Sequence, residues 1–251
     1  MSKYILGIDV GATGTKAAMV DIDAGELVTE KIKLKTPESK KPEDMAAVIC
    51  ELVDRFEQRG NPIGIGFPAV IRNGVALTAS NIHKQWIGMP INTFLEEKTQ
   101  GQIYVINDAD AAGISEMTYG VGKDKNGTVI LLTLGTGIGS AIFKDGLLLR
   151  NTELGHLRYN DNIAEYFVSN TARKRDKMDW PEYSKALNSY LEYVHKIFYP
   201  DLLILGGGIS KRFELFKEHF GSHIQVVPAQ KFNNAGIIGA ALAWRKYYSK
   251  A

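Results

Sequence analysis

Two stretches of this chain carry the same pattern, and a fold has to accommodate both. Residues 6–21, LGIDVGATGTKAAMVD, and residues 131–146, LLTLGTGIGSAIFKDG, each run apolar, break at a turn of Gly and Thr, and run apolar again. Such a pattern predicts a hairpin near the start of each half. A Gly-rich turn lacks β-carbons, so a ligand can approach its backbone closely, and successive N–H groups can form a concavity that binds anions. Phosphate is the natural guest. In this reading Gly11, Gly14 and Gly137 supply backbone, Thr13, Thr15 and Thr136 supply hydroxyls, and Lys16 supplies a point charge. The alternative is that Gly and Thr simply serve two bends. Asp9 ends an apolar strand just before the first turn, where an unpaired carboxylate is costly to bury. Its partner is either Mg2+ carried by a phosphate donor, directly or through water, or the turn's own N–H groups.

Around these hairpins the periodicity alternates between strand and helix. YILGIDV, TKAAMVD and ELVTEKIKL read as three successive strands, the last two joined by the turn DAGE at residues 23–26. Met45, Val48, Ile49, Leu52, Val53 and Phe56 recur at spacings of three and four and predict a helix ending at Gly60. IGIGFPAVI and IYVIND follow as strands, with INTFLEEK as a helix between them and another helix from Ala109 to Tyr119. Tyr183, Leu187, Tyr190, Leu191, Val194 and Phe198 mark a long helix stopping before Pro200; LLILGGG, IQVVPA and the helix AGIIGAALAW close the chain. The class is α/β. At 251 residues the chain suits two lobes, and no linker rich in Pro, Ser or Gly separates them.

A net charge of +2 is too mild to announce a nucleic-acid partner, so anion binding must come from local clusters. The single cysteine, Cys50, excludes an intramolecular disulfide and a Cys-based zinc site, and its place on an apolar helical stripe predicts a buried thiol. The start of the chain shows no leader, and no stretch approaches the span of a membrane helix; the expectation is a cytoplasmic protein without a membrane partner.

Two further segments carry chemistry. NDAD, residues 107–110, follows a strand and opens a helix, so Asp108 is either a helix cap or a working carboxylate at the carboxyl end of a strand. As a base it would take the proton of a substrate hydroxyl. ELGH, residues 153–156, places Glu153 and His156 three apart, a pair able to bond neighbouring hydroxyls of a sugar; a structural histidine bonded to backbone is the plainer alternative.

Taken together, LGIDVGATGTK, NDAD, LTLGTGIGSAIF, ELGH and LILGGGIS, in this order, resemble the ROK family of sugar kinases and sugar-responsive repressors, within the actin-like ATPase superfamily. The longer runs ASNIHKQWIG, DWPEYSK and PDLLILGGGIS are most similar to its polyphosphate-using glucokinase branch. The resemblance implies an actin-like, ribonuclease H-like two-lobe sugar kinase fold with a central cleft: residues 1–107 with a C-terminal helix 235–251, and residues 108–234. It implies transfer of a phosphoryl group from polyphosphate, and also from ATP, to the 6-hydroxyl of glucose, with Mg2+ as cofactor. Asp108 would be the general base; Asn81, Asn107, Asp108, Glu153, His156 and Glu165 would hold the sugar, and Gly207 and Gly208 would join the donor site. A homodimer is implied as well.

The family's usual Cys-rich zinc motif after the sugar-contacting histidine is missing from LRYNDNIAEYF, so zinc is not expected, which leaves open what rigidifies His156. FPAV at residues 67–70 carries Ala69 where the family commonly has Gly, tolerable if its backbone angles are ordinary. Lys84 and the cluster Arg173, Lys174, Arg175 and Lys177 would attract a chain of phosphates, or else form a solvated basic loop. Two rival readings remain: an ATP-only hexokinase acting on glucose, mannose, fructose or an amino sugar, and a sugar-binding regulator. The regulator's DNA-binding domain would precede the first phosphate segment, for which the sequence leaves no room.

Overall fold

The structure, a computed structural model, describes residues 2–248; Met1 and residues 249–251, the last of the expected C-terminal helix, lie outside the described residues. The chain divides into two compact units, Met1–Ser115 with Asn234–Ala251, and Glu116–Asn233.

In the first unit, β1 (Tyr4–Val10) and β2 (Gly14–Asp21) form the expected antiparallel hairpin, with Asp9 opposite Lys16 and Val10 opposite Thr15. The predicted third strand is two pieces, β3 (Glu26–Leu27) and β4 (Ile32–Lys35), both paired with β2. It breaks because the Thr29 hydroxyl, not a backbone carbonyl, accepts the Met19 N–H (3.1 Å) before the ladder resumes at Ile32. Helix α1 (Pro42–Arg55) starts on a proline with Glu43 and Asp44 in its first turn and buries Met45, Ile49, Leu52 and Val53. It ends well before Gly60, because Glu57 takes a left-handed backbone (φ 55°) that the ladder cannot follow. Cys50 is half-buried rather than buried; its Sγ donates to the Lys98 carbonyl, and burial pushes its thiol pKa up.

Strand β5 (Pro62–Phe67) stops at Pro68, and the chain continues in a small hairpin of β6 (Ile71–Arg72) and β7 (Val75–Ala76). After α2 (Ile91–Thr99), β8 (Gln102–Asn107) runs parallel to β5, which runs parallel to β1, and α3 (Asp108–Tyr119) follows directly. The helix Ala235–Tyr247 covers this sheet so closely that a β-carbon at Gly7 or Gly64 would collide with the carbonyls of Ile237 or Ala240. Glycines inside strands here serve close packing of helix on sheet.

The second unit repeats the plan. β9 (Thr128–Leu134), β10 (Ile138–Lys144) and β11 (Leu147–Leu149) form an antiparallel meander. A two-residue ladder of β12 (Arg158–Tyr159) and β13 (Asn162–Ile163) leads into two short helices that periodicity did not announce, α4 (Ala164–Val168) and α5 (Asn170–Arg175). Helix α6 (Trp180–Phe198) begins at a capping box of Asp179 and Glu182 and buries Tyr183, Leu187, Tyr190, Leu191 and Val194. It stops at Tyr199, in a left-handed conformation, before Pro200. β14 (Leu202–Gly206) pairs parallel with β9, and β15 (Val226–Pro228) parallel with β14. The order β11-β10-β9-β14-β15 matches β3-β2-β1-β5-β8 of the first sheet, antiparallel members first and parallel members after. The repeated hairpin in the sequence is thus the visible edge of a repeated sheet.

Candidate active site

Functional side chains of the first unit gather at the carboxyl ends of its three parallel strands, the edge where α/β sheets bind ligands. Asp9, near the end of β1, lies opposite Gly66 of β5, and Asn107 ends β8 opposite Phe67. The partner of Asp9 in the structure is the ammonium of Lys16, 3.3 Å from Oδ2, with both side chains largely buried. The first Gly turn closes through Gly11 N–H to the Gly14 carbonyl (3.2 Å). Thr36, which belongs to no motif, braces it: its hydroxyl donates to the Gly11 carbonyl (2.7 Å). Thr15 is buried and its hydroxyl lies 3.4 Å from that of Thr36, so it serves the turn's interior; Thr13 is exposed at the tip.

In NDAD the capping role expected of Asp108 falls mainly on its neighbour. Asn107 is the cap: its Oδ1 accepts the N–H groups of Ala109 (2.9 Å) and Asp110 (3.1 Å), and its Nδ2 donates to the Ala69 carbonyl (3.2 Å). Ala69 has no positive φ, so alanine fits where glycine is common. Asp108, half-buried at the first position of α3, also accepts the Ala109 N–H (2.9 Å). Asn81 is exposed, its carbonyl bound by Lys40 Nζ (3.0 Å), and exposed Lys84 begins a 3-10 turn anchored by fully buried Trp86.

In the second unit, two glycine segments come together. Gly207 has φ 82°, and a β-carbon there would stand 2.6 Å from the Leu134 carbonyl, so the late glycine segment abuts the end of β9. Gly135–Gly137 follows immediately, with exposed Thr136 at the tip. Glu165 of α4 links this turn to the ELGH segment: its Oε2 accepts the Ile138 N–H (3.1 Å), and its Oε1 lies 3.7 Å from His156 Nε2. A β-carbon at Gly137 would occupy the place of that carboxylate. Glu153 Oε2 lies 3.7 Å from His156 Nδ1, so the imidazole stands between two carboxylates. Burial raises the Glu153 pKa above its ordinary value, the Glu165 charge adds to the rise, and His156 counters it.

Sequence reading missed what holds ELGH. Buried Ser140 accepts the Leu154 N–H (2.9 Å) and donates to the Thr152 carbonyl (2.7 Å), while buried Tyr190 donates to the Leu154 carbonyl (3.0 Å). Hydroxyls therefore hold the backbone of ELGH at Leu154, and His156 follows with a carboxylate 3.7 Å away on either side. Among the described residues no group of three or more His, Cys, Asp or Glu is arranged to hold a metal ion.

The basic segment divides as well. Arg175 is bound to Asp176 (2.6 Å) and lies over the Tyr166 ring, whereas Lys174 and Lys177 are exposed and Arg173 lies over Trp180.

Comparison with known proteins agrees with the five motifs. Residues 5–171 match the ROK family. The chain is 41% identical over 242 residues to the polyphosphate glucokinase of Mycobacterium tuberculosis, covering 96% of this chain and 91% of that protein. It is 37% identical over 238 residues to the polyphosphate glucokinase of Mycobacterium leprae, covering 94% and 73%. The crystal structure of the inorganic polyphosphate/ATP-glucomannokinase from Arthrobacter sp. strain KM superposes with a TM-score of 0.94 at 41% identity, covering 98% of this chain and 99% of that one. The fold is accordingly the actin-like, ribonuclease H-like α/β fold of sugar kinases, and the chain belongs to the ROK family.

Proposed function

We propose that the protein transfers the terminal phosphoryl group of inorganic polyphosphate to the 6-hydroxyl of glucose, giving glucose 6-phosphate, and that ATP serves as a second donor. The observation that carries the reading is the place of NDAD: Asn107 ends β8 and caps α3, which sets the half-buried Asp108 carboxylate at the carboxyl end of a parallel strand, where α/β sheets bind ligands and where a base would stand. Its carboxylate takes the hydroxyl proton, the sugar oxygen forms a bond to the terminal phosphorus, and the bridging P–O bond breaks. The electron pair of that bond leaves with the shortened chain, or with ADP. Asn81, Asn107, Glu153, His156 and Glu165 hold the sugar hydroxyls. Gly11, Thr13, Gly14, Lys16, Thr136, Gly137, Gly207 and Gly208 receive the donor's oxygens, and Thr15 keeps the first turn in shape.

Mg2+ bound with the donor would neutralise phosphate charge. The residues fit such an ion: magnesium takes one or two carboxylates plus phosphate oxygens, and Asp9 places one largely buried carboxylate beside a glycine turn. Lys84, Arg173, Lys174 and Lys177 add positive charge for the phosphate chain. The same reading includes a homodimer in the cytoplasm, supported by family similarity and testable by sedimentation and fractionation.

A coupled assay for glucose 6-phosphate with magnesium, comparing polyphosphate with ATP and glucose with mannose, tests the reaction. The name of the Arthrobacter relative joins two donors with two sugars, which makes this panel the informative one. Asp108→Asn should lower kcat by about 10²–10⁴-fold while glucose affinity stays within a few-fold. Near-native turnover by that variant would remove Asp108 from the mechanism.

A further inference from the structure

Around Trp180 the second unit collects two guanidinium groups that, among the described residues, have no carboxylate partner. Trp180 is half-buried at the start of α6, with Phe216 stacked on its ring at 5.9 Å and 21°. The Arg173 guanidinium carbon is 4.3 Å from the indole centroid, and that of Arg212 is 5.8 Å away. The two cationic carbons are therefore within about 10 Å of each other. Arg173 donates to neutral acceptors, the Met178 carbonyl (3.2 Å) and Asn170 Oδ1 (3.5 Å). The carboxylates nearest in sequence are engaged elsewhere: Asp176 by Arg175, Glu214 by Lys217, and Asp179 with Glu182 in the capping box of α6. An indole face offsets part of the cost of gathering like charges and fixes where they stand, but an anion offsets more.

Both arginines sit on elements that start at the donor turns. The amide of Thr171, in the first turn of α5, donates to the Gly135 carbonyl (3.3 Å), and Arg173 follows two residues later. Arg212 belongs to the 3-10 segment Gly208–Leu215, which sets out from Gly207 against Leu134. Arg212 stands where that segment kinks, its backbone at φ −110° and ψ 20°, four residues on from Gly208. An anion held by both arginines would thus be a continuation of one whose end lies at the glycines.

We propose that Arg173 and Arg212, held on Trp180, form a subsite for the inner phosphates of a long inorganic polyphosphate, beyond the group being transferred. This rests on the polyphosphate-donor reading above. It gives the enzyme a grip on long chains that neither tripolyphosphate nor the uncharged nucleoside of ATP can use.

The test measures kcat and KM with long-chain polyphosphate, tripolyphosphate and ATP for Arg173→Gln and Arg212→Gln, with Lys125→Gln on the same unit as a charge control. In either arginine variant KM for long-chain polyphosphate should rise about tenfold, the equivalent of one lost charged contact. Its kcat should stay within about twofold, and KM for the two short donors should move far less than KM for the long one. A parallel rise for all three donors, an unchanged KM for the long chain, or an equal effect of Lys125→Gln overturns the subsite. Binding is read without turnover from quenching of tryptophan fluorescence by long-chain polyphosphate in the absence of glucose, with Trp180→Phe removing the signal. Quenching that depends on Arg173 and Arg212 in a protein that transfers nothing from polyphosphate would keep the subsite and sink the donor reading. Transfer from polyphosphate with quenching unaltered by both variants would do the reverse.

Discussion

Glu153 is a half-buried carboxylate whose charge costs stability, a cost that binding a sugar hydroxyl, as proposed above, would offset. Its carboxyl pKa is raised above 4.5 chiefly by burial, and further by Glu165, against a smaller opposing pull from His156. An acid whose folded pKa lies above its unfolded value stabilises the fold at low pH, where both states are protonated. That stability is lost as pH rises through the folded pKa, because only the folded state pays to ionise a buried group. Glu153→Gln removes this loss. The variant should therefore melt at a higher temperature than the parent at pH 7, the gain shrinking to nothing near pH 4, while KM for glucose rises because the amide cannot accept as a carboxylate does. A melting difference that is flat with pH would show that the Glu153 charge is not what costs stability. Residue chemistry here was legible in part: the spacing of ELGH brings Glu153 beside His156, but only the fold reveals that Glu165 stands on the other side of the imidazole and accepts the Ile138 amide.

Elements with strong periodicity were readable from the sequence, and those defined by a side chain replacing backbone were not. The hairpins, α1, α2, α3 and α6 follow from apolar spacing, glycine turns and proline stops. By contrast, β3 and β4 separate at a Thr29 hydroxyl, and α4 and α5 are too short to show a helical period. The ELGH segment belongs to this second kind, since a buried serine on β10 sets its course. Ser140→Ala leaves the Leu154 amide unsatisfied and strips the Thr152 carbonyl of its donor. It should cost about 1–3 kcal/mol in urea denaturation. Because the loss frees the segment carrying Glu153 and His156, KM for glucose should rise more than kcat falls. An unchanged KM beside the expected loss of stability would mean that Ser140 supports only the fold.

At the scale of the whole molecule, two sheets of one plan each present glycine turns at a strand end, yet the sum of formal charge is only +2. A field that weak does little to steer a polyanion from afar, so under the proposed reading capture of the donor falls to local charges of the second unit, Lys174, Lys177 and the arginines on Trp180. Local contacts of exposed charge are screened by salt: the Debye length is about 10 Å at 0.1 M and about 3 Å at 1 M. Glucose carries no charge, and the side chains proposed to hold it would do so by hydrogen bonds, whose reach is shorter than either length. Raising monovalent salt from 0.1 to 1 M at fixed magnesium should therefore raise KM for polyphosphate on the order of tenfold or more, with KM for glucose nearly constant. If both constants climbed together, salt would be acting on the fold rather than on donor capture. If neither moved, the donor would be held by backbone amides inside the turns, and the exposed cations would have no part in binding it.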